Sequence, residues 1–173
     1  MAESDYDAQT GILNGTALMR AIDAEVCVAQ ARADAGSALQ GPCIALINVD
    51  EYSRTSDNIA DTLGGVLVRA LADRLESRMR RCDRFGRLGG TQFAVCMPNT
   101  SLRDAEMLAR GLQDAVGGEL FPTPRGPAAL KVSIGVAAFV PGDTLPTLVQ
   151  RAGTAFGATR QANRDRNLRV VGG

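Results

Sequence analysis

The sequence predicts an α/β structure, in the α+β sense, with helices packed against a single sheet. Three observations carry the prediction. Residues 43–49, CIALINV, form a continuous apolar run of strand length. Residues 83–97, DRFGRLGGTQFAVCM, alternate in polarity on both sides of Gly89-Gly90, as a hairpin does. Between such runs lie stretches whose apolar residues recur every three or four positions, the spacing of one helical face.

The first helix begins after Asn14, a suitable N-cap, and carries Leu18, Ile22 and Val26 until the pattern fades by Gly36. The apolar run at 43–49 ends at Asp50, so a buried strand presents a carboxylate at its tip. A second helix sets Leu63, Leu67, Leu71 and Leu75 four apart, with Val66 and Ala70 widening the stripe. In the hairpin, Gly89-Gly90 supplies a two-residue loop able to take positive φ, and Thr91 and Gln92 suit strand pairing. A third helix opens at Ser101 with Asp104 in a variant of the capping box, and it aligns Leu108, Leu112 and Val116. Turn chemistry in GGELFPTPRGP leads to ALKVSIGVAAFV, a β-branched strand bounded by Pro141-Gly142. The last helix starts near Thr144 and turns Leu148, Ala152, Phe156 and Thr159 inward, after which LRVV, 168–171, is expected to close the sheet.

With 173 residues, 45% hydrophobic and 22% charged, the chain suits one globular domain over 1–173, with no internal repeat and no dividing linker. Nineteen basic and nineteen acidic side chains cancel, so no global field favours nucleic acid or an anionic membrane, and a bound anion must be met locally. Lys131 is the sole lysine; the other cations are arginines, whose planar forks pair with phosphates and guanine edges. There is no histidine, which removes imidazole acid–base chemistry, His-liganded metals and His-activated nucleophiles. Cys27, Cys43, Cys82 and Cys96 lack CxxC spacing, and Cys43 and Cys96 fall in apolar strands, so free thiols and a reducing, cytoplasmic compartment are expected. No stretch approaches the ~20 apolar residues of a membrane span, and the N-terminus lacks a signal pattern, so no membrane contact is expected of this segment.

Five segments, in order, resemble the GGDEF family of diguanylate cyclase domains, which join two GTP molecules into cyclic di-GMP. DAQTGILNG (7–15) resembles the family's opening D-x-L-T-G-L-x-N-R, with Gln9 and Gly15 as departures. INVDEYSRTSDNIADTLGG (47–65) is similar to D-x-D-x-F-K-x-I-N-D-x-x-G-H-x-x-G-D, and RCDRFGRLGGTQFAVCMPNT to the signature hairpin. KVSIGVA and RAGTAFGATRQANRDRN resemble the family's later strand and last helix. The resemblance covers nearly the whole chain. It implies a nucleotidyl-cyclase-like fold, a central five-stranded, mostly antiparallel sheet surrounded by helices, here as one domain of a longer signalling protein.

Phosphodiester formation from a triphosphate calls for carboxylates that hold divalent metals. The resemblance places them at the strand tip and at the third and fourth signature letters, where this sequence has Asp50 and, after Gly89 and Gly90, Thr91 and Gln92. Two anionic groups are missing, and a hydroxyl and a carboxamide do not supply the charge that magnesium needs. The family's guanine-reading Asn and Asp align with Ser56 and Gly65. Its phosphate-contacting basic pair aligns with Arg160 and Arg164, which by residue type also read as a solvated helix face. Asp50 likewise reads as a strand-end carboxylate without a ligand. The expectation is no cyclase activity, no catalytic residue, and neither metal nor other cofactor.

The other side of the hairpin keeps its charge. Arg80-Arg81-Cys82-Asp83 makes an R-x-x-D pattern, with five residues between Asp83 and Gly89. Spacing alone gives a weak surface ion pair, and Arg20 to Asp23 and Arg54 to Asp57 match it equally. The resemblance implies more, because the family's product-binding inhibitory site lies at this position. There the arginine meets a guanine edge or a phosphate of cyclic di-GMP, and the aspartate accepts from guanine N–H groups. Arg74, Arg78, Arg80, Arg81, Arg84 and Arg87 outnumber Asp73, Glu76 and Asp83, a local patch suited to a dianion. Arg81 and, from the next helix, Arg103, Asp104 and Arg110 are candidates to complete the site. The expected function is a receptor that reads cyclic di-GMP and passes its level to a partner protein or adjoining domain, with a ligand-linked dimer as one form. The alternatives are a docking or dimerisation module that binds no ligand, and an allosteric GTP sensor at Asp50, Arg160 and Arg164.

Overall fold

The structure, a computed structural model, describes residues 4–50, 59–122 and 126–171, the side chains of 59–64 and 164–171 excepted. In chain order the elements are β1 (Leu13–Asn14), α1 (Gly15–Asp34), β2 (Cys43–Val49), α2 (Ile59–Glu76), β3 (Arg84–Gly89), β4 (Gln92–Met97), α3 (Leu102–Gly117), β5 (Val132–Ala138) and α4 (Leu145–Val171). The strands form one five-stranded sheet in the order β1-β3-β4-β2-β5. β1 runs parallel to β3, and the other pairings are antiparallel.

Successive residues of a strand point to opposite faces, and helices cover both faces of this sheet, which is why its central strands read as unbroken apolar runs. Ala45, Ile47, Phe93, Val95 and Met97 pack with Leu67, Leu71 and Leu75 of α2 and with Leu112 and Val116 of α3. On the opposite face Ile44, Ala94 and Cys96 pack with Leu18, Ile22 and Val26 of α1 and Leu148 and Ala152 of α4. The helix starts follow the expected chemistry: Asn14 Oδ1 accepts from the Ala17 N–H at 2.9 Å, and Ser101 Oγ accepts from the Asp104 N–H at 3.1 Å. All four cysteines are free; burial pushes the Cys43 thiol up to about 11 and the Cys96 thiol up to about 12, so neither is a thiolate at neutral pH.

Several expectations are corrected. LRVV, 168–171, continues α4 instead of forming a strand: no glycine or proline interrupts 158–171, so nothing stops the helix before it. The remaining strand is β1, only two residues long and added to the free edge of β3. Gly89 pairs with Gln92, so the hairpin loop is Gly90-Thr91, one residue later than expected, and Thr91 lies in the turn rather than in a strand. Gly90 has φ 52 and Thr91 is not a positive-φ residue, the pattern of a turn that needs glycine first. Val66 does not widen the buried stripe of α2 but stands 78% exposed. Phe156 and Thr159 are half-buried, unlike Leu148 and Ala152.

Candidate functional site

Asn48 lies opposite Gln92, and Val49 opposite Val132, so the sheet register brings the hairpin tip, Asp50 and the start of β5 to one edge. Thr91 Oγ1 donates to Asn48 Oδ1 at 2.8 Å. Ser133, fully buried, donates its hydroxyl to Asp50 Oδ1 at 2.6 Å and accepts from Asn163 Nδ2 of α4 at 3.1 Å. Thr91 is thus tied to Asn48, and Asp50, Ser133 and Asn163 form a second bonded set. Magnesium, which the fold family implies, takes oxygens from carboxylates and phosphates. A single carboxylate, a threonine and an exposed glutamine supply too little negative charge for that ion, and among the described residues no group of three or more Cys, Asp or Glu converges as metal ligands would. Arg160 is half-buried on α4, whereas Ser56 and the side chain of Arg164 lie outside the described residues.

The opening DAQTG segment is tied to the same hairpin. Asp7 Oδ2 accepts from the Thr10 N–H at 2.9 Å, from the Thr10 hydroxyl at 2.6 Å and from Arg87 Nη1 at 3.3 Å. Arg87 Nε donates to the Gly90 carbonyl at 2.9 Å, and its Nη1 donates to Gln9 Oε1. A Cβ on Gly65 would meet Gln9 Nε2 at 3.8 Å, so the Gln9 carboxamide lies beside the position where the family resemblance implies a guanine-reading carboxylate. Burial alone would raise the Asp7 pKa, but the Thr10 hydroxyl and amide and the Arg87 guanidinium outweigh it and hold the carboxyl below its ordinary 3.8. A carboxyl lowered on folding stabilises the fold above its unfolded pKa and loses that contribution as pH falls through the folded value. The wild type is thus expected to exceed Asp7→Asn in urea midpoint above pH ~4, with the gap closing at lower pH. A gap that stays constant over that range would remove the Asp7 charge from the explanation.

Arg87 is accordingly not part of an open patch: its side chain is 12% exposed. Arg74 is also turned in, lying over the Phe121 ring at 3.7 Å and donating to the Glu119 carbonyl at 3.1 Å. Of the six arginines in this stretch, Arg78, Arg80, Arg81 and Arg84 are exposed, around the turn from α2 to β3.

That turn is closed by the R-x-x-D pair. The Asp83 N–H donates to the Arg80 carbonyl at 3.0 Å. Asp83 Oδ2 accepts from the Arg80 N–H at 2.8 Å and from its Nε at 3.4 Å, while Oδ1 accepts from Nη2 at 3.0 Å. The Asp83 side chain has no exposed surface, whereas that of Arg80 is 50% exposed. These hydrogen bonds, against the opposing effect of burial, raise the Arg80 pKa above its ordinary value. Arg80 Nη2 also donates to Thr100 Oγ1 at 2.6 Å, a contact with no signal in the sequence pattern. Beside the turn opens a cavity of about 350 Å³ whose lining includes Tyr6, Ile12, Met79, Arg81 and Arg84 together with Arg80. Arg103 and Arg110 stand exposed on α3, and neither makes an ion pair among the described residues. Asp104 lies close enough for its charge to favour the Arg80 cation.

The sheet order, the two-sided helical cover and the hairpin define the class of domain, and comparison gives the family. Residues 4–166 match the model for the diguanylate cyclase GGDEF domain, and the chain belongs to the GGDEF family. It is 35% identical over 149 residues to the response regulator PleD of Caulobacter vibrioides, covering 84% of this chain and 32% of PleD. It is 29% identical over 160 residues to the diguanylate cyclase DgcP of Pseudomonas aeruginosa, covering 92% of this chain and 23% of DgcP. The chain thus spans less than a third of either relative. Among solved structures, the GGDEF domain of DgcB from Caulobacter crescentus, in complex with c-di-GMP, has the same fold, with a TM-score of 0.79 at 20% identity over 94% of this chain and 93% of that one. The expected five-stranded, mostly antiparallel sheet with flanking helices is therefore the fold observed.

Proposed function

We propose that the chain is a catalytically inactive GGDEF domain that binds cyclic di-GMP through the Arg80–Asp83 turn and passes its level to a partner protein or adjoining domain. The observation that carries this reading is the exposed group Arg78, Arg80, Arg81 and Arg84, gathered on a neutral protein beside a cavity of about 350 Å³. That volume lies in the range of small-ligand sites. Arginine suits both halves of the ligand, since its N–H groups meet phosphate oxygens and guanine O6 or N7. The signature edge argues in the same direction: Thr91 and Gln92 carry no charge, so Asp50, bonded through Oδ1 to Ser133, lacks the further carboxylates that the family resemblance implies. A site built around hydrogen bonds to a base loses discrimination steeply without those partners, and Gly65 has no side chain to offer. Magnesium has no part in this function.

Calorimetric titration of cyclic di-GMP, with GTP plus magnesium as a parallel titrant and substrate, tests the reading. The expected result is cyclic di-GMP binding of about micromolar affinity or tighter, with no conversion of GTP. Product above a no-enzyme blank would overturn the inactivity. Absence of heat with cyclic di-GMP would overturn the receptor role and leave a docking module. GTP binding that is insensitive to Arg80→Ala would replace it with an allosteric GTP sensor.

A further inference from the structure

We infer that Thr100 is a positioning residue of the Arg80 site, its buried hydroxyl holding the guanidinium so that a single nitrogen, Nη1, faces the ligand. The inference rests on the receptor reading above for its ligand, and on the following geometry for the rest. Thr100 is 6% exposed. Its hydroxyl donates to the Pro98 carbonyl at 2.8 Å and accepts from Arg80 Nη2 at 2.6 Å. A hydroxyl has one hydrogen, so with that hydrogen on Pro98 the oxygen can meet Arg80 only as an acceptor, which suits a cation.

Thr100 is itself fixed from several sides. Its N–H donates to the Gly41 carbonyl at 3.3 Å, and its carbonyl accepts from Cys43 Sγ of β2 at 3.1 Å. The preceding Asn99 takes φ 47, a left-handed conformation that asparagine tolerates, and its Oδ1 accepts from Arg32 of α1 at 3.2 Å. Ser101, the next residue, caps α3. The hydroxyl is thus anchored in the core while its partner lies at the surface.

The guanidinium hydrogens can then be assigned. Nε serves Asp83 Oδ2, and the two hydrogens of Nη2 serve Asp83 Oδ1 and Thr100 Oγ1. Nη1 donates to no acceptor among the described residues, and the side chain is 50% exposed. Arg80 is therefore ordered before the ligand arrives, with both hydrogens of Nη1 available for phosphate oxygens of the ligand. Pre-ordering removes the rotamer entropy that a free arginine loses on binding. In the same arrangement Asp83 has both oxygens on Arg80, so it too acts through Arg80.

The test is calorimetry of cyclic di-GMP with wild type, Thr100→Val and Thr100→Ser, each repeated in an Arg80→Lys background that keeps the charge but not the fork, with folding checked by thermal melts. Thr100→Val should weaken binding about three- to tenfold, the size of ordering one long side chain, and Thr100→Ser should stay within about twofold of wild type. The valine effect should vanish in the Arg80→Lys background. An unchanged affinity in Thr100→Val, or an equal loss in both backgrounds, would overturn the inference. Nitrogen NMR of the ligand-free protein gives a second readout: rotation about the Arg80 Nε–Cζ bond should be slow in wild type and Thr100→Ser and faster in Thr100→Val. If wild type binds no cyclic di-GMP, the receptor reading fails, and the NMR comparison still decides the positioning, since unchanged rotation in Thr100→Val would overturn it.

Discussion

Gly135→Ala is expected to be strongly destabilising, lowering the unfolding free energy by about 3 kcal/mol or more. A Cβ at residue 135 would lie 2.1 Å from the Phe156 nitrogen, 2.4 Å from its Cα and 2.5 Å from the Ala152 carbonyl oxygen, all backbone atoms of α4. Neither side can withdraw easily. Gly135 is paired with Leu46 in the middle of the β2–β5 ladder, and α4 is anchored on the sheet by Leu148 and Ala152, both at 0% exposure. Overpacking by one methyl group ordinarily costs about 1–3 kcal/mol when side chains can adjust, and backbone against backbone puts this substitution at about 3 kcal/mol or more. That is a large share of a domain stability of about 5–15 kcal/mol. The control is Gly153→Ala on the same helix, where a Cβ meets nothing within 4 Å. It should stabilise by about 0.5–1 kcal/mol, because alanine is the better helix former. Urea and thermal unfolding of the two variants read both effects, and a Gly135→Ala protein as stable as wild type would refute the close-packing argument. Asn163 lies on the same helix and reaches Ser133 and through it Asp50, so loosening α4 should also disturb the signature edge.

What was legible in the sequence follows from which interactions are local. CIALINV marked β2 to the residue, and Asn14 and Ser101 marked their helices, because run length and caps are written in consecutive positions. β1 was not legible: two residues have no period, and they are a strand only because β3 offers a free edge. The hairpin was placed correctly, but its loop was shifted, since either Gly89-Gly90 or Gly90-Thr91 satisfies the turn chemistry and only the cross-strand register chooses. Residue type also overstated the positive patch. Arg74 finds the face of Phe121 and Arg87 finds Asp7, partners 47 and 80 positions away that no local window contains. Thr100 was missed for the same reason: it lies 20 residues from Arg80, and a single threonine carries no pattern.

Arg80→Ala is expected to lower cyclic di-GMP affinity about thirtyfold or more, the loss typical of an arginine at the centre of an interface. It should also cost some stability, because the Asp83 carboxylate, with no exposed surface, would keep only the residue-80 N–H at 2.8 Å and the Cys82 thiol at 3.9 Å. Calorimetry together with melting curves separates the two losses, and binding that survives Arg80→Ala would remove the turn from the receptor reading. Asp83→Asn then distinguishes a residue that reads the base from one that holds Arg80. A carboxylate that accepted guanine N1–H and N2–H₂ directly would discriminate cyclic di-GMP from its adenine analogue, which has no such pair of donors, and the amide would lose that discrimination. With both Asp83 oxygens committed to Arg80, the expected result is different. Affinity for the two dinucleotides should fall in parallel, because what is lost is the order of one guanidinium whose Nη1 meets a phosphate oxygen, present in both ligands, and not a contact to either base.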